Sequence, residues 1–207
     1  MPASFAVADP PVIGVELSEE DTSRSAVYRL LGRLLIAPPD VPVRAALAEL
    51  RGDESALGQA LNALAAEVAR TDQDLEREYH DLFIGLGRGE LVPYGSYYLT
   101  GFLNEKPLAL LRRDMARLGI ARRESVREPE DHVGAVLEMM AGLIDGSFAV
   151  AAGDVGAQQQ FFATHVEPVA PRFFADLEHA ETARFYRPVA KVGRLFLEVE
   201  ASAFQMI

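Results

Sequence analysis

The chain has 207 residues, 49% of them hydrophobic and 25% charged, which suits one substantial buried core rather than a disordered or fibrous chain. Its 31 acidic residues outnumber 20 basic ones, and the formal net charge of -11 repels phosphate backbones, which argues against nucleic acid as a ligand and favours cationic partners. With no cysteine, disulfides, thiolate metal sites and cysteine nucleophiles are excluded by chemistry.

Residues 1–17 hold Pro2, Pro10 and Pro11 among small and apolar residues, and lack the basic region followed by an apolar run that marks an export signal. They read as a flexible N-terminal tail. No stretch offers the ~18 to 20 uninterrupted apolar residues of a membrane-spanning helix, so a cytoplasmic chain that does not span a membrane is expected. From residue 18 to 207 the hydrophobic period is helical nearly everywhere, and one all-helical domain is expected there.

Ser18 followed by Asp21 is a variant capping box that opens a first helix, with Val27, Leu30, Leu31, Leu34 and Leu35 on one face and Pro38-Pro39 as its stop. Shorter alanine- and leucine-rich helices follow over about Val41 to Arg51 and about Glu54 to Arg70. Thr71 can cap the next, in which Leu75, Tyr79, Leu82, Phe83 and Leu86 share a stripe that ends in the glycines at 85, 87 and 89. Leu91 to Gly101 has no period and reads as an ordered loop or hinge.

A helix from Asn104 carries Leu108, Leu111, Met115 and Leu118 and stops at Gly119, with Pro107 tolerated in its first turn. The clearest helix of the chain bears Val133, Val136, Leu137, Met140, Leu143 and Ile144 and ends at Gly146. The last third gives a helix around Gln158 to Val166, a break at Pro168 and Pro171, and a helix through Phe173 and Leu177. A closing helix from about Thr182 to Ala201 turns Phe185, Val189, Val192, Phe196 and Val199 inward. No run of alternating strand residues stands out, so the expected class is all-α: one bundle of about eight to ten helices.

Chemistry-bearing patterns are sparse. The histidines at 80, 132, 165 and 179 are scattered and no Glu-x-x-His element occurs, so neither a metal site nor a di-iron centre is expected. Gly85-Leu86-Gly87-Arg88-Gly89 follows a helix and lacks the lysine and hydroxyl of a phosphate loop, and reads as a helix stop. Neither a catalytic residue set nor a cofactor motif is expected.

Glu128-Pro129-Glu130-Asp131-His132 is the most informative segment. Proline at the first helical position with acids around it is what a helix start asks for, but His132 would sit where the helix dipole disfavours its cation. At ~100° per residue, Asp131 and Glu138 fall within ~20° of each other on a polar face, with His132 at the edge of the apolar stripe. Periodicity alone favours a solvated face; the other reading is a carboxylate rim that receives guanidinium groups. Tyr94, Tyr97 and Tyr98 are either core anchors or the lining of an apolar groove. Phe161-Phe162 and Phe173-Phe174 read as core.

Four segments in order, Glu78-Tyr79-His80-Asp81-Leu82-Phe83-Ile84-Gly85, Val92-Pro93-Tyr94-Gly95-Ser96-Tyr97-Tyr98, Glu128-Pro129-Glu130-Asp131-His132 and Leu137-Glu138-Met139-Met140, resemble the successive signatures of the TorD/DmsD family of redox enzyme maturation chaperones. Phe161-Phe162-Ala163-Thr164-His165 with Pro168 and Phe173 resembles the family's late helix pair, so the likeness runs from about Ser18 to the C-terminus. Family members commonly carry a double proline before the tyrosine and a tryptophan after the late histidine; here Val92 precedes a single Pro93, and tryptophan is absent.

The resemblance implies a TorD-like, cofactor-free, cytoplasmic chaperone. Its expected partner is the twin-arginine signal peptide and apoprotein of a molybdopterin oxidoreductase, of formate dehydrogenase or DMSO/TMAO reductase type, held back from export while its cofactor is inserted. By motif position it places Glu128, Asp131 and His132 in the peptide site and Tyr94 and Ser96 in the adjoining hinge loop; Glu138 at the rim and Tyr97 in the groove complete the candidate set. It also implies a monomer or a dimer domain-swapped through the loop near Gly119 to Glu128. Two alternatives remain open: a helical adaptor that binds a folded redox enzyme subunit, and an enzyme that uses His132 and Asp131 as an acid and base pair.

Overall fold

The three acids that open the first helix are preceded by Ser18, whose hydroxyl oxygen takes the Asp21 N–H at 3.0 Å, so α1 (Glu19–Ile36) starts on the serine half of the expected capping box. A computed structural model of the chain describes residues 5–7 (backbone only), 17–70, 74–123, 126–148 and 153–207. Ten α-helices are found among the described residues, and the all-α class read from periodicity holds. The chain divides into two compact units, one built from Met1–Ile36 and Pro93–Val169 and the other from Ala37–Val92 and Ala170–Ile207.

In the other unit, α2 (Val41–Ala48) is capped by Asp40 and followed by α3 (Ala56–Arg70). Asp74 caps α4 (Leu75–Phe83) through the Arg77 N–H at 3.1 Å; the expected cap, Thr71, lies outside the described residues. Because α4 ends at Phe83, Leu86 falls beyond the helix and is exposed, not inward as its spacing had suggested.

Within the first unit α5 (Gly95–Thr100) forms where a loop is expected; six residues are too few to display a helical period. α6 (Lys106–Leu118) accepts Pro107 in its first turn and ends in left-handed Gly119, with φ 70°. Two strands correct the expectation of none: β1 (Phe5–Val7), inside the segment read as a tail, pairs antiparallel with β2 (Ile120–Arg122), Ala6 opposite Ala121. Three-residue strands are too short for alternation to show.

Next comes α7 (Val133–Ile144), buried at every position but Glu138. It packs on α1 where two glycines meet: a Cβ on Gly134 would lie 2.8 Å from the Gly32 carbonyl oxygen and 3.0 Å from the Leu35 Cβ. Arg29 of α1 also reaches Asp145 at the end of α7, Nε to Oδ2 at 3.1 Å. α8 (Val155–Phe161), capped by Asp154, runs into a π-helical turn over Phe162–Val166, and both Phe161 and Phe162 are buried.

α9 (Ala170–His179) and α10 (Tyr186–Gln205) complete the second unit, with α10 packed on α9 and α3. Val199 is 54% exposed, so it leaves the inward stripe of α10 that the sequence assigned it. The buried Glu78 carboxylate accepts the N–H groups of Arg184, Phe185 and Tyr186 at 2.8, 3.2 and 2.9 Å. They lie just ahead of and at the start of α10, where backbone donors have no intrahelical partner, and one side chain satisfies all three. No helix among the described residues is long and apolar enough to cross a membrane.

The glycine crossing sets a test. Alanine at Gly134 gains about 1 kcal/mol in helix propensity but meets backbone that no rotamer change relieves, at a cost of roughly 1–3 kcal/mol. Gly134→Ala should therefore leave the midpoint of urea unfolding at or below that of the parent chain, and a clear rise would show that α1 and α7 separate easily.

Candidate functional site

Two segments far apart in sequence, 93–96 and 130–134, are joined by a short antiparallel bridge between Tyr94 and His132 in the first unit. The Gly95 N–H donates to the Asp131 carbonyl and the Val133 N–H to the Pro93 carbonyl, both at 2.8 Å. The bridge brings the start of α5 against the start of α7, and the Tyr94 ring meets the His132 imidazole edge-on, centroids 5.3 Å apart.

His132 is the N-cap of α7. Its Nδ1 accepts the Gly134 N–H at 3.1 Å, so that nitrogen carries no proton and the neutral ring carries its proton on Nε2. Burial is the main cause that lowers its pKa from 6.5 to about 4, and the nearby Glu128 and Asp131 charges only partly oppose it. The expected disfavour toward a cationic His132 is thus met, with burial as its principal source.

Asp131 is only 4% exposed, which rules out the solvated face that periodicity favoured for it. It precedes the first helical residue, Val133, so the angular reckoning that paired it with Glu138 on a helix face does not apply. Its Oδ2 accepts the Ser96 N–H at 2.8 Å and so caps α5, while Oδ1 is buried without a partner among the described residues. The fully buried Ser96 hydroxyl likewise has no partner among the described residues. A carboxylate oxygen withdrawn from water with no donor is a costly arrangement that a donor from outside would relieve.

Glu128 is exposed, and its carboxylate accepts the Tyr94 hydroxyl. The structure brings Glu128, Asp131, His132, Tyr94 and Ser96 together. Tyr97 lies on the same short helix, half-buried, with its ring against Tyr98 at 6.3 Å. Glu138 stands six residues and ~9 Å along α7 from the cluster, against Gly32 of α1.

The candidate set omitted Glu130, which is nearly buried and paired to Arg112 and Arg122. In sequence it passes for one more acid at a helix start, and its partners stand 18 and 8 residues away, where no local pattern links them. Asp114 and His165 form another unforeseen pair, Nε2 to Oδ2 at 2.9 Å between α6 and the π-helical turn.

Residues 48–175 match the model of the family described as nitrate reductase delta subunit, a span that includes both segments of the site. The chain is 27% identical over 179 residues to the chaperone protein TorD of Vibrio atlanticus, covering 77% of this chain and 80% of that one. With the chaperone protein TorD of Vibrio cholerae O1 El Tor it shares 28% identity over 198 residues, 88% of this chain and 82% of the relative. The chain belongs to the TorD family of redox enzyme maturation chaperones.

A solved structure agrees in fold: an Archaeoglobus fulgidus chain proposed as a redox enzyme maturation protein superposes with a TM-score of 0.55 at 20% identity, over 92% of this chain and 99% of that one. In this TorD-family member, the buried histidine gives stability a pH dependence. Its folded pKa lies below the unfolded value, so the contribution is full above pH 6.5 and is lost as pH falls toward about 4, amounting to at most about 3 kcal/mol. His132→Asn keeps an acceptor for the Gly134 N–H but cannot titrate. Urea unfolding at pH 7.0, 5.5 and 4.5 should show the parent losing stability more steeply than this variant; parallel curves would contradict a neutral, buried His132.

Proposed function

We propose that this chain binds the twin-arginine signal peptide of a molybdopterin oxidoreductase in the cytoplasm, without catalysing a reaction, and holds that enzyme back from export while its cofactor is inserted. The observation that carries the reading is the half-satisfied Asp131 carboxylate: one oxygen is committed to α5, and the other is buried with no donor among the described residues. A guanidinium brings five N–H donors in a planar fork and meets a carboxylate better than any other side chain does. Exposed Glu128 adds a second negative charge beside it, which suits a ligand with two cations in succession.

The surroundings fit the rest of such a leader. At the far end of α5, Leu99, Phe102 and Leu103 are 47%, 70% and 50% exposed, which offers apolar surface to the stretch that follows the arginines. Tyr97 lies between the two features on the same helix, and Glu138 is assigned to the outer part of the site. The formal net charge of -11 steers a cationic segment toward the protein as a whole. The client is a molybdoenzyme of formate dehydrogenase or DMSO/TMAO reductase type, met by a monomer or by a domain-swapped dimer.

The acid–base reading of His132 and Asp131 gains no nucleophile or cofactor motif beside them, and Nδ1 of the one and Oδ2 of the other serve as helix caps. The test is calorimetric titration with a synthetic leader that carries two consecutive arginines. Asp131→Asn retains an oxygen for Ser96 but removes the charge, and should weaken binding about 5- to 100-fold, equivalent to ~1–3 kcal/mol, without lowering the unfolding temperature by more than a few degrees. Undiminished affinity in a folded variant would remove Asp131 from the site. Equal capture of a client that lacks its leader would favour the adaptor reading instead.

A further inference from the structure

Asp131 and His132 are tied to α5 and α7 by backbone hydrogen bonds on one side, and the turn that carries them is held from the other side as well. Pro129 to His132 is a four-residue turn, closed by the His132 N–H on the Pro129 carbonyl at 3.2 Å, with Glu130 and Asp131 as its two central residues. Fixing one central residue of such a turn fixes the direction of the other. Asp131 holds its side of the turn through its carbonyl, on the Gly95 N–H, and one carboxylate oxygen, while Oδ1 has no partner among the described residues.

Glu130 has what Asp131 lacks. Its Oε2 accepts both Nε and Nη2 of Arg112 from α6, at 2.9 and 2.7 Å, and its Oε1 lies 3.3 Å from Nε of Arg122 on β2. Arg122 reaches past it as well, donating from Nη1 to the Glu128 carbonyl at 3.2 Å. Two secondary-structure elements thus grip the turn through one nearly buried carboxylate.

We propose that Glu130 is the positioning residue of the site: clamped between Arg112 and Arg122, it sets the Pro129–His132 turn so that Asp131 and His132 face α5, and it takes no part in contact with the ligand. The proposal rests on the peptide-binding reading only for its functional consequence; the clamp itself is a property of the free protein. Of the acids in the motif, Glu128 and Asp131 serve the ligand and Glu130 serves the scaffold. Burial pushes the Glu130 carboxyl up, but the hydrogen bonds from Arg112 and from its own backbone, with the charges of Arg112 and Arg122, outweigh this and hold it below the usual range. The clamp therefore stays charged through neutral pH.

The experiment uses Glu130→Gln in the full chain, read by amide hydrogen exchange without peptide and by titration with the two-arginine leader. The Ser96 and Gly134 amides, which report the Asp131 and His132 contacts, should exchange roughly tenfold faster, while the Tyr186 amide held by Glu78 in the other unit keeps its rate. Leader affinity should fall on the order of tenfold. Added to Asp131→Asn, the same change should cost less than about twofold more, because the two act in series. Arg112→Gln, at a half-exposed position on α6, supplies a milder second variant with the same direction of effect. Parent-like exchange at Ser96 and Gly134, equal acceleration at Tyr186, or full additivity with Asp131→Asn would each overturn the positioning role. If the parent chain binds no such leader, the functional reading fails, and the exchange rates still decide the clamp.

Discussion

A carboxylate withdrawn from water is tolerated only where donors replace its lost hydration, and Asp131 has such a donor on one oxygen. Much of the first unit is arranged around that imbalance. The Tyr94–His132 bridge supplies the Ser96 N–H, α7 is capped by a histidine that must stay neutral, and the ion-paired Glu130 holds the turn between them. The second oxygen lacks a partner among the described residues, and a ligand with a compact, multi-donor cation meets that need most directly.

Acidic residues elsewhere do different work, which shows why net charge alone says little about function. Glu78 holds three backbone N–H groups ahead of α10, and Asp40, Asp74 and Asp154 cap helices. The Glu-Tyr-His-Asp-Leu-Phe segment is accordingly a scaffold element of the second unit: Glu78 anchors α10 while Tyr79 and Phe83 join Tyr186 in an aromatic cluster.

Long amphipathic helices are legible from sequence because burial repeats at 3.6 residues, and α1, α6, α7 and α10 appear close to where Leu31, Leu111, Val136 and Phe196 placed them. What escaped was short. α5 spans less than two turns, β1 and β2 have three residues each, and Leu86 kept the helical spacing after the chain had already left α4. Val199 kept the spacing too, but the buried stripe of α10 continues through Leu197, Glu200 and Phe204 and passes it by.

At the site, the family motif placed Glu128, Asp131 and His132 together, and periodicity misjudged the first two relations it was asked about. It put Asp131 on a helix that starts only at Val133, and gave it a solvated face where the structure buries it. Pairings that close over 35 residues, such as Asp131 with Ser96, or over 51, such as Asp114 with His165, leave no local signal. Glu130 was hidden for a similar reason: a helix start explains an acid there equally well, and only the distant arginines reveal the other explanation.

On the proposed reading, an incoming guanidinium completes the Asp131 carboxylate at the junction of α5 and α7. Backbone amide NMR shifts, followed while a two-arginine leader is titrated into the full chain, test it most directly. Saturable shifts that begin at Ser96, Asp131 and Gly134 and extend along α5 are the expected result. Shifts centred on the Glu78–Tyr186 region of the second unit, or none at all, would contradict the account.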